Sequence, residues 1–503
     1  MAEQTDDVSP STRRIVLLAA ILASSMGFID GSVVSIAIPS LRADLGASLG
    51  DAQWINNAYL LLLSALILVG GAAGDRFGLR RTFGMGIAVF VLASLACALA
   101  PTPQFLIGAR AVQGFGAAFM VPGSLAIIAR FYPREERGRA IGIWAAASSF
   151  TTLGGPVLGG AVLTWFGDWG WRLVFAINLP LGIVALLLLW LRVPSDRPEG
   201  GRLDVLGAVL ATLSLGAVAF GLTGQQGDGV PPRSHIALWG CAGLVLGAAF
   251  VLWERRAPQP MLPLRLFADR RFSGANALTF MLYFALGGVS FFLPMTLIGG
   301  WGEDPSTVAL VLLPMGAILT ALSTFSGTWA DRFGAGPPIA LGSVIVAVAF
   351  LLLGLTAPLH QPWLAVAPAM ALLGVGMGLV VSPLSTAVMT SVADADTGIA
   401  SGVNNAVARV AGLVAVASLG AVVAVVFEQA LGPAAELGVF FGLPASGLDP
   451  ETELRRVAAT DAAFAALTYV TAALSLVAAV IAWATLERRP TGSPPGPGPA
   501  RGP

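Results

Sequence analysis

The chain has 503 residues, of which 56% are hydrophobic and 11% are charged, and its acidic and basic residues balance to a net charge of zero. A soluble globular domain is usually about a quarter charged, so this composition excludes an ordinary soluble fold. It indicates a protein whose surroundings are a lipid bilayer and not a nucleic acid. The chain also lacks lysine, which excludes a P-loop and hence ATP hydrolysis by that route.

Apolar runs of about 18 to 28 residues recur along the whole chain. About 20 helical residues cross a hydrocarbon core about 30 Å thick, so each run predicts one membrane-spanning helix. The first run is long, contains Asp30 and is not followed by a small-residue cleavage site, so we expect it to be retained and not removed as a signal peptide. The sequence thus predicts an all-α polytopic membrane protein with fourteen spans, at 15–38, 52–74, 82–100, 104–130, 139–163, 171–191, 203–224, 235–253, 272–299, 307–329, 338–356, 362–389, 399–426 and 462–486.

The arginines predict which side of the membrane each loop faces, because cytoplasmic loops are enriched in basic residues. With the N-terminus inside, 21 arginines fall in inner segments and five in outer ones, although the inner loop at 392–398 is acidic. We therefore expect a multi-pass protein of the cell membrane with both termini in the cytoplasm. The termini are a tail at 1–14 and a disordered tail at 489–503, and the longest outer loop is predicted at 427–461.

The motif Gly-x-x-x-Asp-Arg-Phe-Gly occurs twice, at 71–78 and at 327–334, which are 256 residues apart. A second pair of similar segments begins at Gln113 and Leu373, 260 residues apart. Eight predicted spans separate the two motifs, so a duplication of six helices requires two more helices inserted between the halves. Parallel repeats of this type are typical of transporters whose halves rock about a site at the midplane. The predicted units are a six-helix bundle at 15–195, an inserted helix pair at 200–256 and a second six-helix bundle at 270–488.

The loop sequence GGAAGDRFGLRR resembles the cytoplasmic loop signature of the major facilitator superfamily. The segments FIDGSVVSIAIP, RAVQG, GGPVLGG and WRLVFAINLPLG, together with fourteen spans, resemble its fourteen-helix drug:proton antiporter family. The resemblance covers nearly the whole chain and implies the major facilitator fold. It also implies antiport of protons against small amphipathic drugs or antibiotics by alternating access, with the proton gradient as energy source and no cofactor. We expect a monomer.

The resemblance places a cytoplasmic gate at the two repeated loops. A carboxylate at a helix end can cap a neighbouring helix N-terminus or pair with an arginine, and such contacts can close the cytoplasmic side and still break in each cycle. Simple anchoring of the topology by the arginines is the alternative. The second loop has no counterpart to the two arginines that follow the first motif, so we expect a weaker gate there. The predicted gate residues are Gly71, Asp75, Arg76, Gly78, Arg80, Arg81, Asp331 and Arg332.

A glycine-rich stretch in the fifth span resembles an element associated with antiporters. A proline removes a backbone donor and glycines permit close helix approach, so this stretch favours a kink that acts as a hinge. Ordinary small-residue packing without a conformational role is the alternative. The predicted hinge residues are Gly155, Pro156, Gly159 and Gly160.

Three charged residues lie deep in the predicted spans, namely Asp30, Arg110 and Arg409. A charge at mid-bilayer costs at least ~3 kcal/mol and is usually retained for a function or a partner. Asp30 and Arg110 lie roughly 12 and 9 Å from the outer ends of their spans, so we hypothesise that they face each other and couple proton binding to transport. A permanent structural ion pair is the alternative. Arg409 has no obvious acidic partner and is a candidate for the substrate cavity, where it would bind a substrate carboxylate or an internal cluster of carbonyl groups, and a structural role is the alternative. The neutral candidates for the substrate cavity are Asn56, Asn57, Gln113 and Asn276.

Proton-coupled export of amphipathic drugs or antibiotics is the leading hypothesis, and export of one endogenous metabolite is the alternative within transport. A membrane receptor or scaffold is the alternative outside it. An enzyme is not expected, because a catalytic site needs several converging polar side chains and the two histidines, His235 and His360, lie far apart at span edges. No metal site is predicted. The single deep acid, Asp30, favours monocationic, neutral or zwitterionic substrates.

Overall fold

The computed structural model describes residues 9–196, 200, 203–223, 231–432, 434, 439–444 and 447–486, and throughout these residues the regular structure is helical. The predicted tail at 489–503 lies outside the described residues, as does most of the tail at 1–14. In chain order the α-helices are α1 (Pro10–Leu45), α2 (Leu49–Phe77), α3 (Leu79–Ala98), α4 (Pro103–Phe131), α5 (Arg134–Phe166), α6 (Trp171–Ala176), α7 (Asn178–Arg192), α8 (Val205–Thr223), α9 (Arg233–Glu254), α10 (Arg270–Met295), α11 (Pro305–Phe333), α12 (Gly336–Thr356), α13 (Ala367–Thr390), α14 (Thr397–Leu431) and α15 (Pro450–Thr485).

The helices of the described residues provide fourteen candidate membrane spans. Thirteen segments of the described chain are long and apolar enough to span a bilayer. One of these, Glu135–Arg192, has 58 residues, and as a single helix it would be about 87 Å long, far more than a hydrocarbon core about 30 Å thick. A 3-10 turn at Gly167–Gly170 divides it into α5 and the consecutive helices α6 and α7. The segment therefore crosses twice, which gives the predicted number of spans.

The outer loop predicted at 427–461 is shorter in the structure, because α14 continues to Leu431 and α15 already begins at Pro450. Asp449 caps α15 by accepting hydrogen bonds from the backbone N–H groups two and three residues further on. Helical turns outside the hydrocarbon core do not need apolar side chains. The hydropathy of the sequence therefore could not reveal them.

The two halves of the chain repeat one helix crossing at glycine residues. In the first half α3 and α4 cross where a Cβ atom added at Gly116 would lie 2.9 Å from the Gly86 carbonyl oxygen. In the second half α12 and α13 cross where a Cβ atom added at Gly376 would lie 2.8 Å from the Gly342 carbonyl oxygen. These residues are 256 and 260 positions apart, the same offsets as in the sequence repeat. The duplicated sequence thus folds into duplicated packing.

We expect Gly116→Ala and Gly376→Ala to lower the free energy of unfolding by about 1–3 kcal/mol each, because the added methyl group meets backbone atoms that cannot rotate away. Thermal unfolding of the purified variants in detergent measures the effect. Gly108→Ala, also in α4, is the matched control, since a Cβ atom there has no neighbour within 4 Å. An equal loss in the control would contradict the argument.

The helices predicted as an inserted pair, α8 and α9, lie beside the rest of the bundle. α8 packs against α2 of the first half and α14 of the second, and the ring of Phe220 on α8 lies 6.0 Å from that of Trp54 on α2. α9 packs mainly against α8, where Ser214 donates to the Gly243 carbonyl oxygen at 2.8 Å. α8 therefore covers the seam between α2 and α14.

Candidate functional site

Two of the three deep charges form a hydrogen-bonded network between neighbouring helices. Arg110 on α4 donates from Nη1 to both carboxylate oxygens of Asp30 on α1, at 2.9 and 2.7 Å, and each side chain is only 1% exposed. Its Nε donates to the Ile55 carbonyl oxygen of α2 at 3.1 Å. The structure thus brings together the two residues that the sequence predicted to face each other, and it shields them from water.

Gln113, one turn after Arg110, extends this network to α3. Its Nε2 donates to Asp30 at 2.9 Å and to Ser94 at 2.8 Å. Its Oε1 accepts from Arg110 at 2.6 Å and lies 3.7 Å from the Cys97 sulfur. Gln113 is completely buried, so in this conformation both ends of its amide are committed to the network and not to an open cavity. We define the charge network as Asp30, Arg110, Gln113 and Ser94.

Two aromatic rings flank the guanidinium of the charge network. The Arg110 Cζ lies 4.3 Å from the centroid of the Tyr59 ring and 5.6 Å from that of Phe175. A cation over aromatic faces is stabilised by the ring quadrupole, most strongly where water is excluded. In such a medium a charge pair interacts more strongly than in water. Gain of a proton by the acid would therefore change the force that holds α1 and α4 together.

The other predicted cavity residues lie on α2, α10 and α14. Asn56 is half-buried and donates to the Asn57 Oδ1 at 3.4 Å, while Asn57 is completely buried. Asn276 donates to a carbonyl of its own helix and accepts from the Asn404 amide at 3.1 Å, so its hydrogen bonds help to join α10 to α14. Arg409 is half-buried on α14 and is separate from the charge network.

The repeated Asp-Arg-Phe-Gly motifs form the same turn in both halves. Gly78 follows α2 with a φ of 93°, and Gly334 follows α11 with a φ of 82°, which are values that favour glycine. In each turn the arginine lies over the ring of the next phenylalanine, at 5.1 Å in the first half and 5.3 Å in the second. Six of the predicted gate residues are exposed in this conformation, namely Gly71, Asp75, Arg76, Arg81, Asp331 and Arg332.

A carboxylate that the sequence analysis did not identify caps the helix after the first turn. Asp196, which follows α7, accepts hydrogen bonds from the N–H groups of Leu79 at 2.6 Å and Arg80 at 2.9 Å. The Arg80 side chain donates to a carbonyl oxygen of α7 at 2.7 Å. Asp196 therefore ties the end of α7 to the N-terminus of α3 beside the first repeated turn.

The glycines of the predicted hinge lie where α5 crosses a neighbouring helix. A Cβ atom at Gly155 would lie 2.7 Å from the Ser32 hydroxyl on α1, and one at Gly159 would overlap the Val33 side chain. α5 itself continues as one helix through Pro156. These glycines therefore permit close packing of α5 on α1 in this conformation.

The outer end of α5 also contacts the second half of the chain, on the side where the arginine distribution places the outer loops. A Cβ atom at Gly160 would lie 2.7 Å from the Pro305 carbonyl oxygen at the start of α11. One turn further on, Thr164 donates to Asp304 at 2.9 Å and its hydroxyl lies 2.7 Å from that of Ser306. These contacts hold the two halves together at the outer end.

Comparison with known families identifies the fold. A sequence profile of the Major Facilitator Superfamily matches residues 20–416. The chain belongs to the major facilitator superfamily. This major facilitator protein is accordingly a multi-pass membrane transporter of small molecules and not an enzyme.

Its relatives include proteins named for drug resistance. This major facilitator protein is 32% identical over 432 residues to the multidrug resistance protein Stp of Mycobacterium tuberculosis, with 85% of this chain and 79% of that protein covered. It is 33% identical over 416 residues to the methylenomycin A resistance protein of Bacillus subtilis, with 82% and 88% covered. A solved bacterial homologue of the human lysosomal transporter Spinster matches with a TM-score of 0.69 at 18% identity, over 95% of this chain and 97% of that one. That structural likeness supports the fold.

Proposed function

We propose that this major facilitator protein is a proton-coupled antiporter that exports amphipathic drugs or antibiotics from the cytoplasm by alternating access. The names of the relatives support the substrate class, and the charge network supports proton coupling. The arginine distribution supports a position in the cell membrane with both termini in the cytoplasm. We further propose that the protein acts as a monomer and needs no cofactor.

The buried Asp30 is the observation that carries the proposal. It is buried near the middle of α1, whereas Asp461, which is also buried, lies closer to the end of its helix α15. A proton on Asp30 removes its charge attraction to Arg110, whose remaining hydrogen-bond acceptors are then all neutral, including the oxygens of Ile55 and Gln113. The spacing of α1 and α4 therefore depends on the protonation of one residue.

The closed outer end explains how a proton and a substrate can alternate. Asp30 is sealed in the present conformation, so a proton from outside reaches it only after α5 and α11 separate near Thr164 and Asp304. The opening that admits the proton is the same one through which a substrate leaves. If the protein returns to the present conformation only after Asp30 has bound a proton, it exchanges an outgoing substrate for an incoming proton.

Inverted membrane vesicles with an acidic interior test the proposal. We expect that an amphipathic compound, drawn from a panel of cations, neutral molecules and anions, accumulates inside as protons leave. Uptake should stop when nigericin abolishes the pH gradient, and vesicles without the protein give the background. Accumulation at an unchanged rate without the gradient would contradict proton coupling. A response to one compound of the panel alone would favour the alternative, a dedicated exporter of one endogenous metabolite.

A further inference from the structure

The charges deep in the membrane do not balance. Asp30 is the only acid among the three deep charged residues. Both of its carboxylate oxygens accept hydrogen bonds from Arg110, and one of them also accepts a hydrogen bond from Gln113. Arg409 is absent from the ion pairs that the described residues form with one another. A charged side chain this deep in a membrane usually serves a function and is paired with a group of opposite charge. The charge network does not supply one, so a single positive charge is left over.

Arg409 lies where the two halves meet. One turn further along α14, Gly412 faces both α2 and α10. A Cβ atom added at Gly412 would lie 3.8 Å from the Leu60 side chain on α2. A Cβ atom added at Gly287 on α10 would lie 2.9 Å from the Gly412 Cα. Residues one turn apart share a helix face, so Arg409 lies on the face of α14 that meets α2 of the first half and α10 of the second.

The surroundings of Arg409 provide neutral hydrogen-bonding groups. Asn405, one turn earlier on α14, is exposed, and Arg409 is itself only half-buried. A guanidinium that is only half-buried is suited to a planar oxyanion, which it can bind through two parallel hydrogen bonds.

We propose that the transported compound carries an anionic group, a carboxylate or an ionised phenol, and that Arg409 binds this group. The inference rests on the proposed function and adds the charge of the substrate to it. It reverses the expectation from the sequence, in which a single deep acid favoured cationic, neutral or zwitterionic compounds. The reason is that Asp30 is neutralised by its own partner, and the accessible charge between the halves is positive.

Binding to the purified protein in detergent tests the inference independently of proton coupling. The probes are three dansyl compounds with one apolar body that end in a carboxylate, its methyl ester or an amine, and the readout is energy transfer from the tryptophans of the protein. We expect the wild type to bind the carboxylate about tenfold more tightly than the ester or the amine. Arg409→Gln should remove this preference, and Arg409→Lys should retain part of it.

Arg455→Gln is the matched control, since Arg455 is exposed at the outer end of α15 and pairs with Glu451. It should bind all three probes like the wild type. Equal affinities of the wild type for the three probes, a preference for the amine, or an unchanged preference in folded Arg409→Gln would each overturn the inference. Carboxylate binding without any proton movement in vesicles would instead sustain the role of Arg409 and contradict proton coupling.

Discussion

Replacing Asp30 with asparagine is expected to abolish substrate-driven proton release while the protein still inserts into the membrane. Asparagine has the size of aspartate and still offers an oxygen to Arg110 and Gln113, but it cannot take up or release a proton. Proton release from inverted vesicles, measured at equal amounts of protein, tests this expectation. Asp168→Asn is the control, because Asp168 is an exposed acid in an outer turn. Proton release at the wild-type rate in Asp30→Asn would show that the coupling residue lies elsewhere.

The same substitution should also destabilise the protein, and this effect separates a coupling role from a structural one. Removing one partner of a buried ion pair typically costs about 3–5 kcal/mol, because the other charge is left uncompensated. Adding Arg110→Gln to Asp30→Asn removes that charge, so we expect the double variant to regain much of the lost stability. Proton-coupled transport should stay absent in the double variant. Restored transport would identify the pair as a purely structural feature.

Gly160→Ala is expected to shift the protein away from the present conformation. The added methyl group would lie 2.7 Å from both the Pro305 carbonyl oxygen and the Ala309 Cβ, so α11 has to withdraw from α5 at the outer end. Overpacking of this kind costs about 1–3 kcal/mol, and because it acts only while the outer end is closed, it changes the ratio of conformations roughly 5- to 150-fold.

Labelling of Ser306→Cys with a membrane-impermeant maleimide measures this shift, because the Ser306 hydroxyl is in contact with Thr164 when the outer end is closed. We expect faster labelling in the Gly160→Ala background. Gly154→Ala is the matched control on the same helix, since a Cβ atom there has no neighbour within 4 Å. If both backgrounds label at the same rate, the contact at Gly160 does not control the outer end.

The number of spans and the repeated turn were predictable because both depend on local sequence. An apolar run long enough to cross the bilayer has few alternatives to a helix. The Asp-Arg-Phe-Gly turn needs only its own glycine and the stacked arginine and phenylalanine. The ends of α14 and α15 were not predictable in this way, since they extend beyond the region where hydropathy carries information.

The composition of the charge network was only partly predictable. Equal depths in two spans indicated the contact between Asp30 and Arg110. The part played by Gln113 is indicated by its position one turn from Arg110 on the same helix face. Ser94 and the cap at Asp196 had no such signal, because their contacts depend on how α3 is rotated and on where α7 ends. Those are properties of the packed bundle.

The position of α8 has a consequence for how a lipophilic molecule reaches the interior. Because α8 covers the groove between α2 and α14, acyl chains and solutes dissolved in them meet a barrier at that flank. The opposite flank, where α5 meets α11, has glycine and hydroxyl contacts at its outer end. Among the described helices α8 covers only the first of these flanks, so the protein is asymmetric toward the lipid even though its two halves are built alike.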